Sequence, residues 1–563
     1  MKTRLLAVLA LAAAVVIEAQ TATPPRPTQT PSPMVPAPVT ESVTVDITNI
    51  EVVVTDSKGR RVTGLAKDDF ELRQDGVIQP ITNFYAVDGQ KVVFADGKTL
   101  TLDSQEAEKE APRELKAHYI LYIDNLNIQP QNRNRMFKSL IAWVQRSVGS
   151  KAEAEVIVYN RSLKVRQRFT TEPGLVVGVL EDIERETGGG TPQASDRRDA
   201  VERIDQSQSA DQAMSIARTY AQALRNDLEF TVDSFKTTLN GLAGLEGRKV
   251  LIYVSEGLPQ TAGAELYDAI QRKYTTASTL EQFENDMSSR YASIIQAANA
   301  EGVTIWALDA SGLQTDAFTS AESKYIESRP SDFLSRQNMQ GPIMLMAEQT
   351  GGMAAVNTND WKDSLEELSK DFTSFYSLGY RSARSAADRP HSIEVTVKRK
   401  GLKVRSRKGL VEKSPETRVA EAVLSALDYP REENPLQISV RLDETKPYDQ
   451  STWELPVHIV LPIGKLGLLP SGDHYEATYL IYLIVRDSSG DKSDMQVKHE
   501  TIRVPEKQLK IAQTKDQPYE LKLIVRDGAQ RLSLAVRDGA TNQTSYFQKN
   551  FFVSSLPPVK KGG

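Results

Sequence analysis

The chain has 563 residues, 25% of them charged, with a formal net charge of -5 and no cysteine. At about 100–200 residues per domain, that length predicts three or four units. The mild acidity gives no electrostatic case for a nucleic-acid partner, and the missing cysteines exclude disulfides, thiol catalysis and thiolate metal sites.

Lys2 and Arg4 precede an apolar run from Leu5 to Ile17, the pattern of a signal peptide spanning 1–19 with cleavage after Ala19. The run is shorter than the about 20 residues of a spanning helix, and no later stretch is long enough. The mature chain is therefore expected to be periplasmic or secreted, with no membrane span. Residues 20–40 read as a linker, because seven prolines fall among Thr, Ser, Ala and Gln between 21 and 40. From 41 to 112 the alternation of Val43, Val45 and Ile47, then Val52 and Val54, predicts a small β domain.

From 116 to 412 the grammar changes to strands alternating with helices, which predicts a mostly parallel, helix-covered sheet. Predicted strands are His118 to Ile123, Val156 to Tyr159, Lys249 to Val254, Val303 to Leu308 and Phe375 to Tyr380, the last closing the sheet. Leu163 to Phe169 pairs with its predecessor. Met136, Leu140, Val144 and Val148 mark a helix face, as do Leu224, Leu228, Phe235, Leu239 and Leu242. A third predicted helix runs through Leu280, Phe283, Met287 and Tyr291. Residues 188–213, polar and Gly-rich, read as a long loop. His391 to Val397 and Leu402 to Arg407 read as a hairpin extension turning at Lys400-Gly401, and the basic runs there as solvated strand faces. A connecting helix over 413–430 leads to a β-sandwich over 431–556, with hairpin turns at Asp527-Gly528 and Asp538-Gly539. Residues 557–563 form a tail.

Certain phrases carry a resemblance. These are the strand ending at Asp124, the Gly188-Gly189-Gly190-Thr191 stretch, Val254-Ser255-Glu256-Gly257-Leu258-Pro259, Thr350-Gly351-Gly352 and Tyr376-Ser377-Leu378-Gly379-Tyr380. Together they resemble the von Willebrand factor A (VWA) domain, and more narrowly the VWFA-related proteins abundant in acidobacteria, over residues 40–412. The resemblance implies a doubly wound, Rossmann-like VWA domain with a mostly parallel sheet. With the N-terminal β unit and the C-terminal sandwich, the latter read from its pattern alone, the expected architecture is multidomain α/β plus β.

The resemblance also implies a divalent ion, Mg²⁺ or Mn²⁺, at the carboxyl end of the sheet, held by an Asp-x-Ser-x-Ser turn, a Thr and an Asp. Asp124 matches the first position and Thr191 the threonine. Glu256 stands where the Asp belongs, and Leu126 and Ile128 replace both serines. Asn127, one residue out of register, offers a carbonyl oxygen. Two readings stay open: a degenerate metal site of Asp124, Thr191 and Glu256, or Asp124 capping its own turn while Glu256 pairs with Arg133 or Arg135. In either case the expected ligand rim is Asn125, Asn127, Thr191, Ser255, Glu256 and Asp309.

Other motifs read as ordinary structure. Asp309-Ala310-Ser311-Gly312 is a loop turn on the same rim. Asp487, Ser489, Asp491 and Asp494 lack the glycine and glutamate of a calcium loop, so they read as a polar hairpin turn. No nucleophile elbow, phosphate loop or His-Glu-x-x-His occurs. The resulting expectation is an exported protein–protein interaction or adhesion-type binding module rather than an enzyme. The alternatives are a hydrolase with a site assembled across domains and a purely structural envelope component.

Overall fold

A computed structural model describes residues 47–102, 104, 112, 115–275, 279–313, 329–381, 388–449 and 451–554. The expected signal peptide, linker and tail lie outside these residues. The chain is multidomain, with α/β and antiparallel β parts, and divides into two compact units at Ser414/Pro415.

The first unit contains a six-stranded sheet, ordered Ala354–Ala355, Val303–Asp309, Arg248–Ser255, Ala117–Asp124, Ala152–Tyr159 and Leu163–Thr170. All neighbours are parallel except the last pair, whose pairing was expected and which is antiparallel. Both faces are covered. Tyr119, Leu121 and Ile123 pack with Met136, Leu140 and Trp143 of the helix Pro130–Ser147 and with Val176 and Leu180 of Pro173–Glu184. On the opposite face the Tyr122 ring stacks 5.0 Å from Phe235 of the helix Ala210–Gly241. Every residue of the strand Ala117–Asp124 is buried, which is why it reads as a continuous apolar run rather than an alternation.

The expected strand at Phe375–Tyr380 does not close this sheet. Ser374–Arg381 pairs antiparallel with Ile47–Thr55 and Ile81–Asp88 in a second six-stranded sheet. That sheet packs on a four-stranded one containing Phe70–Gln74 and Arg389–Val397, around Val52, Phe70, Leu72, Tyr376, Leu378 and Val395. The β unit expected over 41–112 is thus completed by strands from 374–412. The expected hairpin at Lys400-Gly401 is not one: Arg389–Val397 pairs with Phe70–Gln74, and Lys403–Arg405 pairs with Ile47–Thr55.

Two helices also differ from expectation. Residues 188–213 are largely the helix Gly190–Asp205, whose buried apolar side chains are Ala200 and Ile204, with Val201 partly buried beside them. So few anchors on so polar a segment gave no periodic signal. The predicted third helix is two, Thr279–Glu284 and Ser288–Ala300, with Leu280 and Phe283 exposed.

In the second unit a four-stranded and a five-stranded antiparallel sheet enclose Leu455, Val457, Ile459, Ile481, Leu483, Leu523, Leu532 and Leu534. This is the expected sandwich. The helix Pro415–Ser425 covers its outer face with Val419 and Val423 against Leu480 and Tyr482. Asp538-Gly539 lies between paired strands, but Asp527-Gly528 does not: Asp516–Arg526 pairs with Thr452–Pro462, while Gly528–Asp538 belongs to the other sheet. Gly528, at φ 91°, turns the chain from one sheet to the other.

Trp143 tests the α/β core. It is 1% exposed, meets Tyr119 edge-on at 4.8 Å and donates its indole N–H to Ser369 Oγ at 2.8 Å. Trp143→Ala is expected to lower unfolding free energy by about 3–5 kcal/mol, measured by urea denaturation; a loss below about 1 kcal/mol would contradict this packing.

Candidate functional site at the carboxyl rim of the parallel sheet

Three strands of the parallel sheet end at Asp124, Ser255 and Asp309, side by side in register. Ligands of open α/β sheets bind beyond these carboxyl ends. The loops that follow are bonded to one another. Glu256 N–H donates to Asn127 O at 3.1 Å, Ala310 N–H to Ser255 O at 2.8 Å, and Gly189 N–H to Asn125 O at 2.7 Å.

Asp124 is fully buried. Its Oδ2 accepts from the Tyr253 hydroxyl at 2.5 Å and from Asn127 Nδ2 at 2.8 Å, while Oδ1 accepts from Asn127 N–H at 3.2 Å. Burial pushes the Asp124 carboxyl above its ordinary range, against the pull of the Tyr253 and Asn127 donors. Burial and the neighbouring Asp124 raise the Tyr253 phenol as well. The capping role expected for Asp124 is therefore present, with Asn127 as the capped residue.

Glu256 is half-buried and pairs with neither Arg133 nor Arg135. Its Oε1 accepts from Gln129 N–H and from Asn132 Nδ2, both at 2.8 Å, so it caps the start of the helix Pro130–Ser147. Burial raises its carboxyl too. Arg133, fully buried, donates to Asn125 Oδ1 and to the carbonyls of Glu184 and Glu186. Arg135 donates to the carbonyls of Ala310 and Ser311.

Sequence reasoning missed both arginines as clamps joining three rim loops. It also missed Tyr253, whose place inside an apolar strand gives no sign of its hydroxyl's partner.

Thr191 is exposed in the first turn of Gly190–Asp205. The glycines before it serve a close approach. A Cβ on Gly190 would stand 2.5 Å from Ile128 O, and one on Gly189 would stand 2.8 Å from Leu126 Cδ1. This loop is pressed onto the backbone of the Asp124 turn. Asp309 accepts from Ser311 N–H at 2.9 Å, Ser311 Oγ at 2.6 Å and Gln340 Nε2 at 2.7 Å. Ser255 is buried and its hydroxyl donates to Gly257 O at 3.2 Å.

The rim thus brings together Asn125, Asn127, Ser255, Glu256 and Asp309, with Thr191 on the adjoining helix, but Asn125, Ser255 and Asp309 are buried, so of the expected ligand face only Asn127, Glu256 and Thr191 are accessible. The donor set does not fit a divalent cation. Asp124 has both oxygens engaged, and Glu256 directs one oxygen to two N–H groups. Leu126 and Ile128 are buried alkyl groups that supply no oxygen. Among the described residues no group of three or more His, Asp or Glu side chains is arranged to hold a metal. The other acidic motif is a hairpin turn: Asp487 accepts from Ser489 and from Asp491 N–H, and Arg526 lies 3.2 Å from both acids.

The raised Asp124 carboxyl sets a pH signature. A folded-state value above the unfolded one near 3.8 means that the neutral acid is favoured by folding. Its contribution is full below the unfolded value and is lost as pH rises through the folded one. Asp124→Asn, which never ionises, is therefore expected to gain stability relative to the native chain between pH 4 and pH 8. Paired urea titrations across that range check this; a difference that is flat or runs the other way would contradict it.

No family model matches the chain, and no curated protein does. Among solved structures, an aerotolerance-related membrane protein from Bacteroides fragilis is similar at 10% identity over 46% of this chain and 98% of that one, with TM-score 0.24. BatB from Bacteroides thetaiotaomicron is similar at 10% identity over 46% and 97%, with TM-score 0.23. The PilB minor pilin from Streptococcus sanguinis is similar at 9% identity over 59% and 87%, with TM-score 0.25. Likenesses at these TM-scores decide neither fold nor function.

Proposed function

We propose that residues 46–414 form a VWA-like binding module, exported to the periplasm or beyond, that captures a protein partner at the rim of its parallel sheet without a bridging metal ion. The observation that carries this reading is the engagement of both rim carboxylates by the protein's own donors. Asp124 is held by Tyr253 and Asn127, and Glu256 by Gln129 and Asn132. A metal-dependent rim keeps its acids open for an ion and one coordination position open for a partner's carboxylate. This rim uses the same positions to bond its loops to each other. A prearranged surface loses less entropy on association, which favours binding. The apolar run of 5–17 supports export, and among the described residues no helix is long and apolar enough to cross a membrane.

Two measurements test the proposal. Melting temperature is expected to be the same in millimolar Mg²⁺, in Mn²⁺ and in chelator. A photo-crosslinking side chain at exposed Thr191 is expected to trap a protein adduct in the cell envelope whose yield is insensitive to chelator. The same group at exposed Lys91, on the antiparallel sheet, is expected to trap none. A metal-dependent melting shift, an adduct lost on chelation, or no adduct at Thr191 would each overturn the reading.

A further inference from the structure

An open sheet presents unpaired N–H and C=O groups along its end strands, and folded proteins blunt such edges. Most end strands of this chain have four residues or fewer, as in Val77–Gln79, Thr99–Thr101, Gly409–Glu412 and Ser439–Leu442. The longer ones are blunted in other ways. Leu163–Thr170 is broken by register shifts against its neighbour. Asp516–Arg526 carries Pro518, which has no N–H to offer, and ties Lys522 to Glu454 at 3.1 Å. Thr544–Val553 is covered in part by the segment that enters the sandwich, through Tyr546 N–H to Glu433 O and Leu436 N–H to Ser545 Oγ, both at 2.9 Å.

Gln496–Pro505 is the exception among the described end strands. It pairs with the strand His474–Asp487 without a register shift. On its other side its main-chain N–H and C=O groups have no partner among the described residues. Its even-numbered side chains face the sandwich interior, where Val504 is buried and Ile502 packs on the core. Val497, His499, Thr501 and Arg503 face outward and are exposed. The only proline stands at its last position, so nothing within the strand interrupts a ladder.

Two copies of one strand pair antiparallel about a two-fold axis normal to the sheet. Such an axis keeps each face of the sheet on its own side, so it passes through a residue and not between two. The side chains then select the residue. An axis at Lys498 sets two lysines opposite each other, and one at Glu500 sets two glutamates. An axis at Thr501 places Glu500 against Ile502 and Lys498 against Val504, and one at Ile502 places Glu500 against Val504. An axis at His499 sets Lys498 of each copy opposite Glu500 of the other, twice by symmetry, with Val497 opposite Thr501. Opposite charges in facing positions stabilise a strand pair, and like charges oppose it. Within the chain Glu500 is met by the Tyr519 hydroxyl, while Lys498 has no ion-pair or hydrogen-bond partner among the described residues. We propose that Gln496–Pro505 is a homodimerisation edge, joining the sheets of two copies into one by antiparallel pairing centred on His499. The edge lies in the 415–563 unit, and its use does not depend on the rim of the 46–414 unit.

Sedimentation equilibrium of the full-length protein at about 100 µM is expected to show dimer, the weak association that a single strand pair supports. Lys498→Glu and Glu500→Lys are each expected to weaken it at least about tenfold, because each sets like charges opposite at two symmetry-related places. The double swap is expected to restore it. The chain has no cysteine, so introduced thiols report the register without background. His499→Cys places two thiols directly opposite, within disulfide reach, and is expected to give a covalent dimer on oxidation. Val497→Cys and Thr501→Cys are expected to cross-link when combined in one chain and not singly. Monomer at that concentration overturns the proposal. So does cross-linking at 499 no greater than at 497 or 501 alone, and so does a dimer indifferent to both charge reversals.

Discussion

A carboxyl group buried at the end of the central strand constrains the rim of the parallel sheet. Asp124 has no contact with solvent, and a buried acid without donors is among the least favourable things a fold can contain. The donors come from two directions. Tyr253 reaches it from the neighbouring strand, and Asn127 folds back from the turn that Asp124 itself begins. Satisfying one side chain therefore fixes the register between two strands and the path of the first loop. Once that path is set, Asn127 O is placed to receive Glu256 N–H, and Glu256 in turn closes the start of the following helix through Gln129 N–H.

The other loops are fitted to this one by shape. Gly188, Gly189 and Gly190 lie so close to the backbone of Asn125–Gln129 that a side chain on any of them would overlap it. Leu126 and Ile128 complete the fit from the other side, both buried. Where the resemblance expects serine hydroxyls and a hydrated ion, this chain has alkyl groups filling the space against glycine backbone. The loops of this rim are joined directly to one another.

The sequence made the central strands legible because burial on both faces leaves an unmistakable mark, continuous in Ala117–Asp124 and Arg248–Ser255. The same mark misled at Ser374–Arg381. That strand is also buried on both faces, but by the β-sandwich cores, with Tyr376 and Leu378 in one cluster and Phe375 in another. A run of buried residues reports burial and not which sheet provides it. The pairing of 47–101 with 374–412 is a contact across hundreds of residues, which local periodicity does not encode. At the rim, Asp124, Thr191 and Glu256 were identifiable by position and the capping role of Asp124 was one of two open readings, but the partners of Glu256 were not legible. Whether a carboxylate faces an ion, an arginine or an amide depends on neighbours such as Tyr253 and Asn132 that carry no motif.

The two charged regions of the 46–414 unit divide along that same line. At the rim every acid named by its position has found a donor in the chain, so the surface offers a partner fixed shape and polar atoms with few unmet demands. Elsewhere in the unit Arg61 and Arg405 pair with Asp371 through their terminal nitrogens, while the nearby exposed Lys58, Lys403, Glu348 and Asp363 are left apart. Exposed ion pairs gain little in water, since holding two long side chains together opposes the weak attraction, so separation by itself requires no ligand. Burial changes that balance. The Ser406 hydroxyl and Arg61 Nε are shielded from solvent without partners, and hydration does not offset an unmet hydrogen bond there.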